Sequence, residues 1–257
     1  AKIALMDWTD DAIVLSARRH GENAAVASLL TRAHGRHAGL VRGGAGKRGR
    51  AVLQPGNIVH AHWRARLTEH LGAFTLEQGR GTAARLFADP LRLAALASAC
   101  ALADATLQER EPHPAVHDGL RDLIAILEQD ETQESWPETY VRWEIRLLAD
   151  LGFGLDLERC AATGTEDGLA FVSPRTGRAV SEAAAGPWRE RLLPLPGFLA
   201  NTGPESPATG ADAVAQGLSL TGHFLARHVF EPQGKPMPAA RRRLDERIGA
   251  SLRVIRD

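Results

Sequence analysis

The stretch from Ala12 to Gly46, AIVLSARRHGENAAVASLLTRAHGRHAGLVRGGAG, decides the fold expected for this chain. Short runs of β-prone residues alternate in it with glycine-containing turns, and the same pattern continues to Gln78. The candidate strands are Ala12–Ala17, Ala24–Thr31, Arg36–Gly43, Asn57–Arg66 and Gly72–Gln78. Five short strands in one such stretch predict a small barrel, either of the oligonucleotide-binding (OB) type or of the SH3-like type.

A different pattern begins at Pro90, where leucine and alanine recur at helical spacing and proline occupies the first turn. The predicted helices are Pro90–Leu107, Pro114–Glu128, Pro137–Leu151, Ala211–Val229 and Ala239–Ile248. Between the third and the fourth, glycine, alanine and threonine surround a short β-like run, Leu169–Ser173, which indicates an irregular insertion at about residues 155–187. We therefore predict an α+β fold, with a barrel domain at residues 6–82 and a helical bundle domain at residues 83–257.

The charges are separated along the chain, although 31 basic and 31 acidic residues give a formal net charge of zero. Residues 1–85 hold 13 Lys and Arg against 6 Asp and Glu, residues 86–159 hold 6 against 15, and residues 160–257 hold 12 against 10. The barrel is therefore predicted to be positive and the helical centre negative. A positive barrel is suited to a polyanion.

The strongest functional signal is the stretch from Arg36 to Arg50, which combines basic residues with five glycines. Glycines let a main chain approach phosphates and donate N–H groups, while Lys and Arg neutralise them and release counterions. A solvated hairpin tip would have the same composition, so the interpretation depends on the predicted barrel. The residues predicted to contact phosphates are Arg18, Arg19, Arg36, Arg42, Lys47, Arg48, Arg50, Arg64 and Arg66.

Aromatic residues, which stack on unpaired bases, are scarce on the predicted strands, where only Trp63 and Phe74 occur. We expect one or both of them in the core. His34 and His37 flank Gly35 in a turn and are expected to contact phosphate or solvent. Binding through phosphates, with weak sequence preference, is therefore the prediction.

No catalytic motif is recognisable in the sequence. A P-loop would need glycine where Val41 stands and Ser or Thr where Arg48 follows Lys47. His60 and His62 share a strand face, but no third metal ligand is recognisable nearby, so a structural role is the simpler interpretation. The nucleophile elbow and the HExxH motif are absent. We expect no enzymatic activity.

The remaining sequence features place few demands on the environment. No stretch approaches the roughly 20 apolar residues that span a bilayer, and no signal-peptide pattern is visible, so a cytoplasmic location without membrane contact is expected. Cys100 and Cys160 are too few for a disulfide framework. Residues 1–5 precede Met6, a candidate natural start, and are given no structural role.

Three stretches of the chain together resemble the bacterial RecO family. They are DWTDDAIVLSARRHGENAAVASLLTRAHGRHAGLVRGG at residues 7–44 with LQPGN at 53–57, YVRWEIRLLADLGFGLDLERC at 140–160, and SPRTG at 173–177 with GKP at 234–236. The resemblance covers nearly the whole chain. It implies an N-terminal five-stranded OB barrel, a helical bundle, and a zinc-ribbon-like insertion at about residues 155–187.

The resemblance also implies a function, that of a non-enzymatic, nucleoid-associated protein that binds single- and double-stranded DNA and anneals complementary strands. Family members work with RecR, and often RecF, to load RecA onto DNA coated by single-strand-binding protein (SSB), whose acidic tail some of them bind. In this chain Arg142 and Arg146 flank an apolar stripe, which is typical of packing but also suits an acidic, hydrophobic-ended peptide. We expect them to hold the tail, with Lys235 and Arg241 nearby.

One departure from the family's pattern concerns zinc. Zinc-bearing members carry four cysteines in the insertion, whereas here only Cys160 remains. Thr163 stands in place of its CxxC partner, and Ser181 and Ala184 fill the second pair. A lone thiolate cannot make a tetrahedral site. We therefore expect no structural zinc, no other cofactor, and a ribbon held by packing alone.

Two other functions stay open at this point. An RNA-binding OB-fold protein would prefer RNA to DNA of the same sequence, because only RNA offers the 2′-hydroxyl. A protein-interaction scaffold would use the acidic helical region for recruitment and would not bind DNA even at low salt.

Overall fold

A computed structural model of the chain describes residues 6–66, 70–129, 136–200 and 210–256. The chain forms two compact units, Ala1–Asp130 and Glu131–Asp257. Residues 1–5, whose lack of a structural role was expected from the position of Met6, lie outside the described residues.

The first unit is built on a closed barrel of five strands, which confirms the predicted number. The strands are β1 (Met6–His20), β2 (Ala24–Thr31), β3 (Gly35–Val41), β4 (Ile58–Ala65) and β5 (Ala73–Arg80). Their order around the barrel is β1-β2-β3-β5-β4, and β4 pairs back with β1. Neighbours are antiparallel except β3 and β5, which run parallel and pair only at Leu40–Ala73 and Val41–Phe74. This five-stranded closed sheet is of the OB type.

Alternation along the strands fills the barrel. On β4, for example, Val59, Ala61 and Trp63 are buried while His60 and Arg64 are exposed. The ring of Phe74 on β5 needs the space above a glycine of β3, because a Cβ on Gly39 would lie 2.5 Å from Cδ2 of Phe74. The close packing of the barrel core at this point therefore requires glycine at position 39 opposite the ring of Phe74.

A short helix, α1 (Lys47–Val52), lies between β3 and β4, where the sequence predicted an open glycine-rich loop. The glycines permit close packing there, since a Cβ on Gly49 would lie 2.4 Å from the carbonyl oxygen of Gly43. At the end of the helix, Asn57 donates to the carbonyls of Ala51 and Val52 at 2.9 and 3.1 Å. The expectation of a loop was wrong because tertiary packing outweighs the low helix propensity of glycine.

Three helices complete the first unit: α2 (Thr82–Arg85), α3 (Pro90–Thr106) and α4 (Pro114–Leu127). Asp89 caps α3 by accepting hydrogen bonds from the backbone N–H groups of Leu91 and Arg92, both at 3.0 Å. Proline occupies the first turn of α3 and of α4, as predicted. The chain after α3 then bonds to the barrel, since Arg110 N–H donates to the carbonyl of Arg36 at 2.7 Å.

The two compact units meet between Asp130 and Glu131, whereas the predicted domains meet at residue 82. The predicted boundary at residue 82 follows the change in composition, whereas α3 and α4 belong to the same unit as the barrel. Side-chain contacts such as Arg32–Asp118, at 3.0 Å between strand end and α4, hold them there. The division into domains at residues 6–82 and 83–257 stays a prediction.

The second unit combines helices with a small sheet. Its elements are α5 (Trp136–Asp150), β6 (Leu169–Val172), β7 (Ala179–Ser181), α6 (Glu182–Ala185), β8 (Leu193–Pro194), α7 (Ala211–Phe224) and α8 (Ala239–Arg256). The sheet order is β7-β6-β8. A short 3-10 helix spans Gly186–Arg191, and α7 continues into a π-helical turn at Leu225–Phe230. Strands β6 and β7 lie within the predicted insertion at about residues 155–187, whereas β8 lies beyond it. The likeness of this region to a zinc ribbon stays a prediction.

A charged network lies at the buried centre of the second unit. The side chains of Glu144 on α5 and Arg241 on α8 are both fully buried and form a bidentate ion pair, with Nη2 to Oε2 at 3.0 Å. Tyr140 Oη donates to Glu144 Oε1 at 2.9 Å, and Thr221 on α7 donates to Oε2. Three helices are therefore joined at one carboxylate. None of the described helices is long and apolar enough to cross a membrane.

Candidate nucleic-acid interface

A groove of about 1130 Å³ opens on the barrel between α1 and β5. Its floor is partly apolar, with Val52 and Leu53 from α1 and the turn after it, and Phe74 and Leu76 from β5. Four of the nine residues predicted to contact phosphates line it: Arg42, Arg48, Arg64 and Arg66. We name this surface the basic groove.

The strands and α1 each supply part of this charge. Arg42 directly follows β3, and Arg48 lies on α1. Arg64 points outward from β4, and Arg66 follows two residues later. Both side chains are exposed, as expected for two residues on one face of a strand. The basic groove therefore collects residues that are distant in sequence at one place on the barrel.

The four arginines of the basic groove are alike in their surroundings. Arg42, Arg48, Arg64 and Arg66 are exposed, and within the described part of the chain no carboxylate forms an ion pair with any of them. One carboxylate, that of Glu77, also lines the groove. A net positive groove whose cations are not neutralised by the protein is suited to phosphates.

The other predicted phosphate contacts lie outside this lining. Lys47 and Arg50 are exposed on α1, and Arg18 is exposed near the end of β1. Arg19 donates from Nε to the carbonyl of Gly21 at 3.0 Å, within the turn that follows β1. These four residues widen the positive surface but are not part of the groove lining.

Arg36 is the exception among the nine, because its side chain serves the structure. Its Nε donates to the carbonyl of Leu107 at 2.9 Å, and its Nη1 lies 3.6 Å from Asp104 Oδ1. The guanidinium therefore closes the C-terminal end of α3, whose last carbonyls lack helical partners. The sequence did not indicate these internal partners, because Leu107 lies 71 residues away from Arg36. The predicted contact of Arg36 with phosphate stays a prediction.

The groove also contains an open strand edge that the sequence did not indicate. From Thr75 to Arg80, β5 pairs with β4 on one side only, because its pairing with β3 ends at Phe74. Thr75, Leu76, Glu77 and Gln78 line the groove beside that edge. Alternate backbone N–H and C=O groups of an unpaired edge are free to bond a ligand. Strand order alone, once the OB topology is assumed, would have indicated this edge.

The aromatic residues of the barrel are packed. Trp63 and Phe74 are 2% and 4% exposed, so neither offers a face to a base. His37 is buried edge-on against Trp63 at 4.7 Å, and burial is the main cause that lowers its pKa. His34 stacks on Trp8 at 4.4 Å. The expectation that His37 contacts phosphate or solvent was wrong, because its side chain is buried.

His60 and His62 each meet an aspartate of β1. His60 Nδ1 lies 3.0 Å from Asp11 Oδ1, and His62 Nε2 lies 3.5 Å from Asp7 Oδ2. No group of three or more His, Cys, Asp and Glu in the described residues is placed to hold a metal ion. Cross-strand pairs of this kind stabilise a sheet surface, in agreement with a structural role.

Cys160 lies buried beside β7, and its Sγ accepts hydrogen bonds from the N–H and Oγ of Ser181 at 3.3 and 3.4 Å. Burial raises the pKa of the thiol, but hydrogen bonds from Ser181 and Thr163 outweigh it and lower the pKa to about 6. Ser181 and Thr163 occupy positions where the resemblance implies cysteines in zinc-bearing members, and Ala184 offers no ligand at all. These four side chains do not fit a tetrahedral zinc site.

The residues expected to hold an acidic peptide have different surroundings. Arg142 on α5 donates to the carbonyl of Phe198 at 3.2 Å and lies over its ring at 5.3 Å, while Arg146 is exposed. Lys235 is exposed and donates to Gln233 at 3.0 Å. Arg241 is fully buried with Glu144, so the expectation that it contacts a peptide was wrong.

Comparison with known proteins identifies the family of the chain. Residues 6–83 match the family model described as Recombination protein O N terminal, and residues 88–236 match Recombination protein O C terminal. The chain belongs to the RecO family. The two RecO models meet between residues 83 and 88, close to the change in composition.

Relatives named "DNA repair protein RecO" extend over most of the chain. The protein of Rhodospirillum centenum is 60% identical over 244 residues, which cover 94% of each chain. That of Rhodospirillum rubrum is 51% identical over 246 residues, covering 95% of this chain and 97% of the relative. That of Gluconacetobacter diazotrophicus is 50% identical over 248 residues, covering 95% and 96%. A role in DNA repair and recombination follows from this membership.

Proposed function

We propose that this RecO-family chain is a non-enzymatic recombination mediator that binds single- and double-stranded DNA through the basic groove. In this proposal it anneals complementary strands and, with RecR and RecF, helps load RecA onto DNA coated by SSB. Because its ligand is chromosomal DNA, a cytoplasmic, nucleoid-associated location goes with it. One observation carries the proposal: four arginines without carboxylate partners among the described residues line a single groove of an OB barrel.

The basic groove explains how annealing could proceed without catalysis. Arginines that contact phosphates bring two polyanions together by neutralising them, and they leave the base edges free to pair. The packed aromatic residues of the barrel support this mode, since Trp63 and Phe74 cannot hold bases away from a partner strand. The proposed chemistry is therefore neutralisation and alignment, with no covalent step.

Strand annealing of complementary DNA coated by SSB tests this function. We expect the protein to accelerate annealing, and the double variant Arg48→Glu with Arg66→Glu to lose most of that acceleration. The matched control reverses two exposed arginines of the same unit that do not line the groove, Arg85 and Arg121. Equal losses in both variants would show a general charge effect. No acceleration by the unmodified protein, or tighter binding of matched RNA, would overturn the proposal.

The proposed contact with the SSB tail uses fewer residues than the sequence indicated. Arg146 and Lys235 are exposed, whereas Arg142 is already engaged by Phe198 and Arg241 by Glu144. A peptide that used Arg142 would have to compete with Phe198. In fluorescence titration with the tail peptide, Arg146→Ala should therefore weaken binding more than Arg142→Ala, and the opposite order would contradict this assignment.

We also propose that the chain binds no structural zinc. The observation behind this is the donor set around Cys160, in which hydroxyl groups of Ser181 and Thr163 bond the sulfur. Metal analysis of the purified protein should find far less than one equivalent of zinc. One equivalent that Cys160→Ala removes would contradict the proposal.

A further inference from the structure

The most exposed tryptophan side chain of the second unit lies on the 3-10 helix that follows α6. Trp188 is 59% exposed, although tryptophan is a residue that folded chains usually bury. Its turn is Gly186–Arg191, which begins at a glycine with φ of 44°. Tryptophan is enriched at interfaces because it combines a large apolar ring with a polar N–H, so an indole this exposed is available to a ligand.

Two arginines fix the turn and shape the site around Trp188. Arg189 lies over the ring of Phe171 on β6 at 5.3 Å and forms an ion pair with Glu182 on α6. Arg191 lies over Trp188 itself, with Cζ 5.5 Å from the ring centroid. The guanidinium of Arg191 therefore covers part of the indole and leaves the rest in solvent.

Together with Glu182, the turn has no net charge, but it places one guanidinium, that of Arg191, directly beside the exposed indole of Trp188. Arg189 and Glu182 neutralise each other, whereas Arg191 has no ion-pair partner among the described residues. Glu190 is the carboxylate on the turn itself, between the two arginines. An unpaired nucleotide has the matching parts: a base that stacks on an indole and a phosphate that an arginine can bind.

We propose that Trp188 and Arg191 form a second contact for single-stranded DNA, in which the indole stacks on an unpaired base. This rests on the proposed function, and it supplies the base contact that the basic groove lacks, because Phe74, the aromatic residue that lines the groove, is buried. A duplex keeps its bases stacked on one another and offers none to the indole. The contact therefore selects single strands, whereas the groove binds both forms.

Two oligonucleotides of the same length and charge test the proposal, one with bases and one made of abasic residues. Stacking on an aromatic side chain contributes about 1–3 kcal/mol per base, which corresponds to about 5- to 150-fold in affinity. We expect Trp188→Ala to weaken binding of the base-containing strand by about five-fold or more and to leave the abasic strand unchanged. Trp188→Phe keeps a ring and should retain most of the difference between the two strands.

The groove variant separates this proposal from the proposed function. Arg48→Glu with Arg66→Glu should weaken both oligonucleotides, because it removes phosphate contacts. If the unmodified protein binds no DNA, both proposals are overturned. If it binds DNA and Trp188→Ala binds both strands as the unmodified protein does, the stacking contact alone is overturned.

Tryptophan fluorescence gives an independent readout on the intact chain. Stacking should quench Trp188 on addition of the base-containing strand, and Trp188→Phe should lose that part of the quenching. Circular dichroism of the variants checks that the turn and sheet still fold. Quenching that is unchanged in Trp188→Phe would assign the signal to another tryptophan and overturn the proposal.

Discussion

The basic groove of the first unit and the buried network of the second use the same residue type in opposite ways. The exposed arginines of the groove form no ion pair with a carboxylate in the part of the chain that the structure describes. Arg241, in contrast, is fully buried and bound to Glu144 through two of its nitrogens. Both kinds of arginine appear in the sequence as basic residues beside apolar ones. The difference teaches that partners brought by the fold, rather than local composition, decide whether an arginine is a binding residue.

The largest expected effect comes from breaking the buried pair. Glu144→Ala removes the buried carboxylate that holds two nitrogens of Arg241 and leaves the buried charge only its contact with the half-exposed Asp245. It should lower the free energy of unfolding by about 3–5 kcal/mol. The control removes a partly exposed ion pair on the same helix: Glu138→Ala, which leaves Arg142 its contacts with Phe198, should cost less than about 1 kcal/mol. Urea denaturation of both variants measures this. Equal losses would show that burial does not distinguish the two pairs.

The salt dependence of DNA binding tests whether the groove arginines contact phosphates. Removing one phosphate contact should reduce the slope of log K against log salt by about 0.7 for a single strand. Arg48→Glu with Arg66→Glu should therefore flatten the slope, while Arg85→Glu with Arg121→Glu should leave it near that of the unmodified protein. Filter binding across a salt series gives the slopes, and an unchanged slope in the first variant would contradict the role of the groove.

Cys160 extends the comparison to a buried anion. Its pKa is lowered to about 6, so the unfolded state binds a proton more tightly than the folded state between that pH and the ordinary pKa of 9.0. Stability should rise as pH increases from about 6 to 9, and it is lost as pH falls through the folded pKa. Ser181→Ala removes one donor and should reduce this rise by about 1–2 kcal/mol. Denaturation at several pH values tests it, and the same pH profile in Cys160→Ala would rule out the thiol as its source.

The smallest change in stability is expected at Arg36. This arginine lies in the barrel but, like Arg241, binds groups of the protein itself. Arg36→Ala loses a hydrogen bond to Leu107 and should lower the free energy of unfolding by about 1 kcal/mol. Its affinity for DNA should stay within about two-fold of the unmodified protein, because removing Arg36 takes no cation out of the groove. A loss of affinity as large as that of Arg48→Ala would return Arg36 to the binding surface.

Most of the barrel could be predicted from local patterns, because alternation and turn glycines are encoded within each strand. The beginning of β1 was not predicted, since Asp7, Asp10 and Asp11 are poor strand formers, and pairing with β4 places them in the sheet. Helix α1 was missed for a related reason, because packing of Gly49 on Gly43 outweighs propensity.

The candidate site was predicted in part, and its errors have one physical cause. The exposure of Arg42, Arg48, Arg64 and Arg66 was predicted because composition and alternation indicate exposed basic residues, and their contact with phosphates stays a prediction. The internal partners of Arg36 and Arg241 were missed because they lie 71 and 97 residues away, at Leu107 and Glu144. Partners at such separations follow from the tertiary fold, which local patterns do not describe.

The open edge of β5 has a further consequence for how copies of the chain behave together. An unpaired edge is a template on which two sheets can join and aggregate. The edge here carries exposed Glu77 and Arg80 with Gly79 between them, and glycine and charged residues oppose strand addition. We therefore expect the exposed edge beside the groove to resist the joining of two copies of the chain through their sheets.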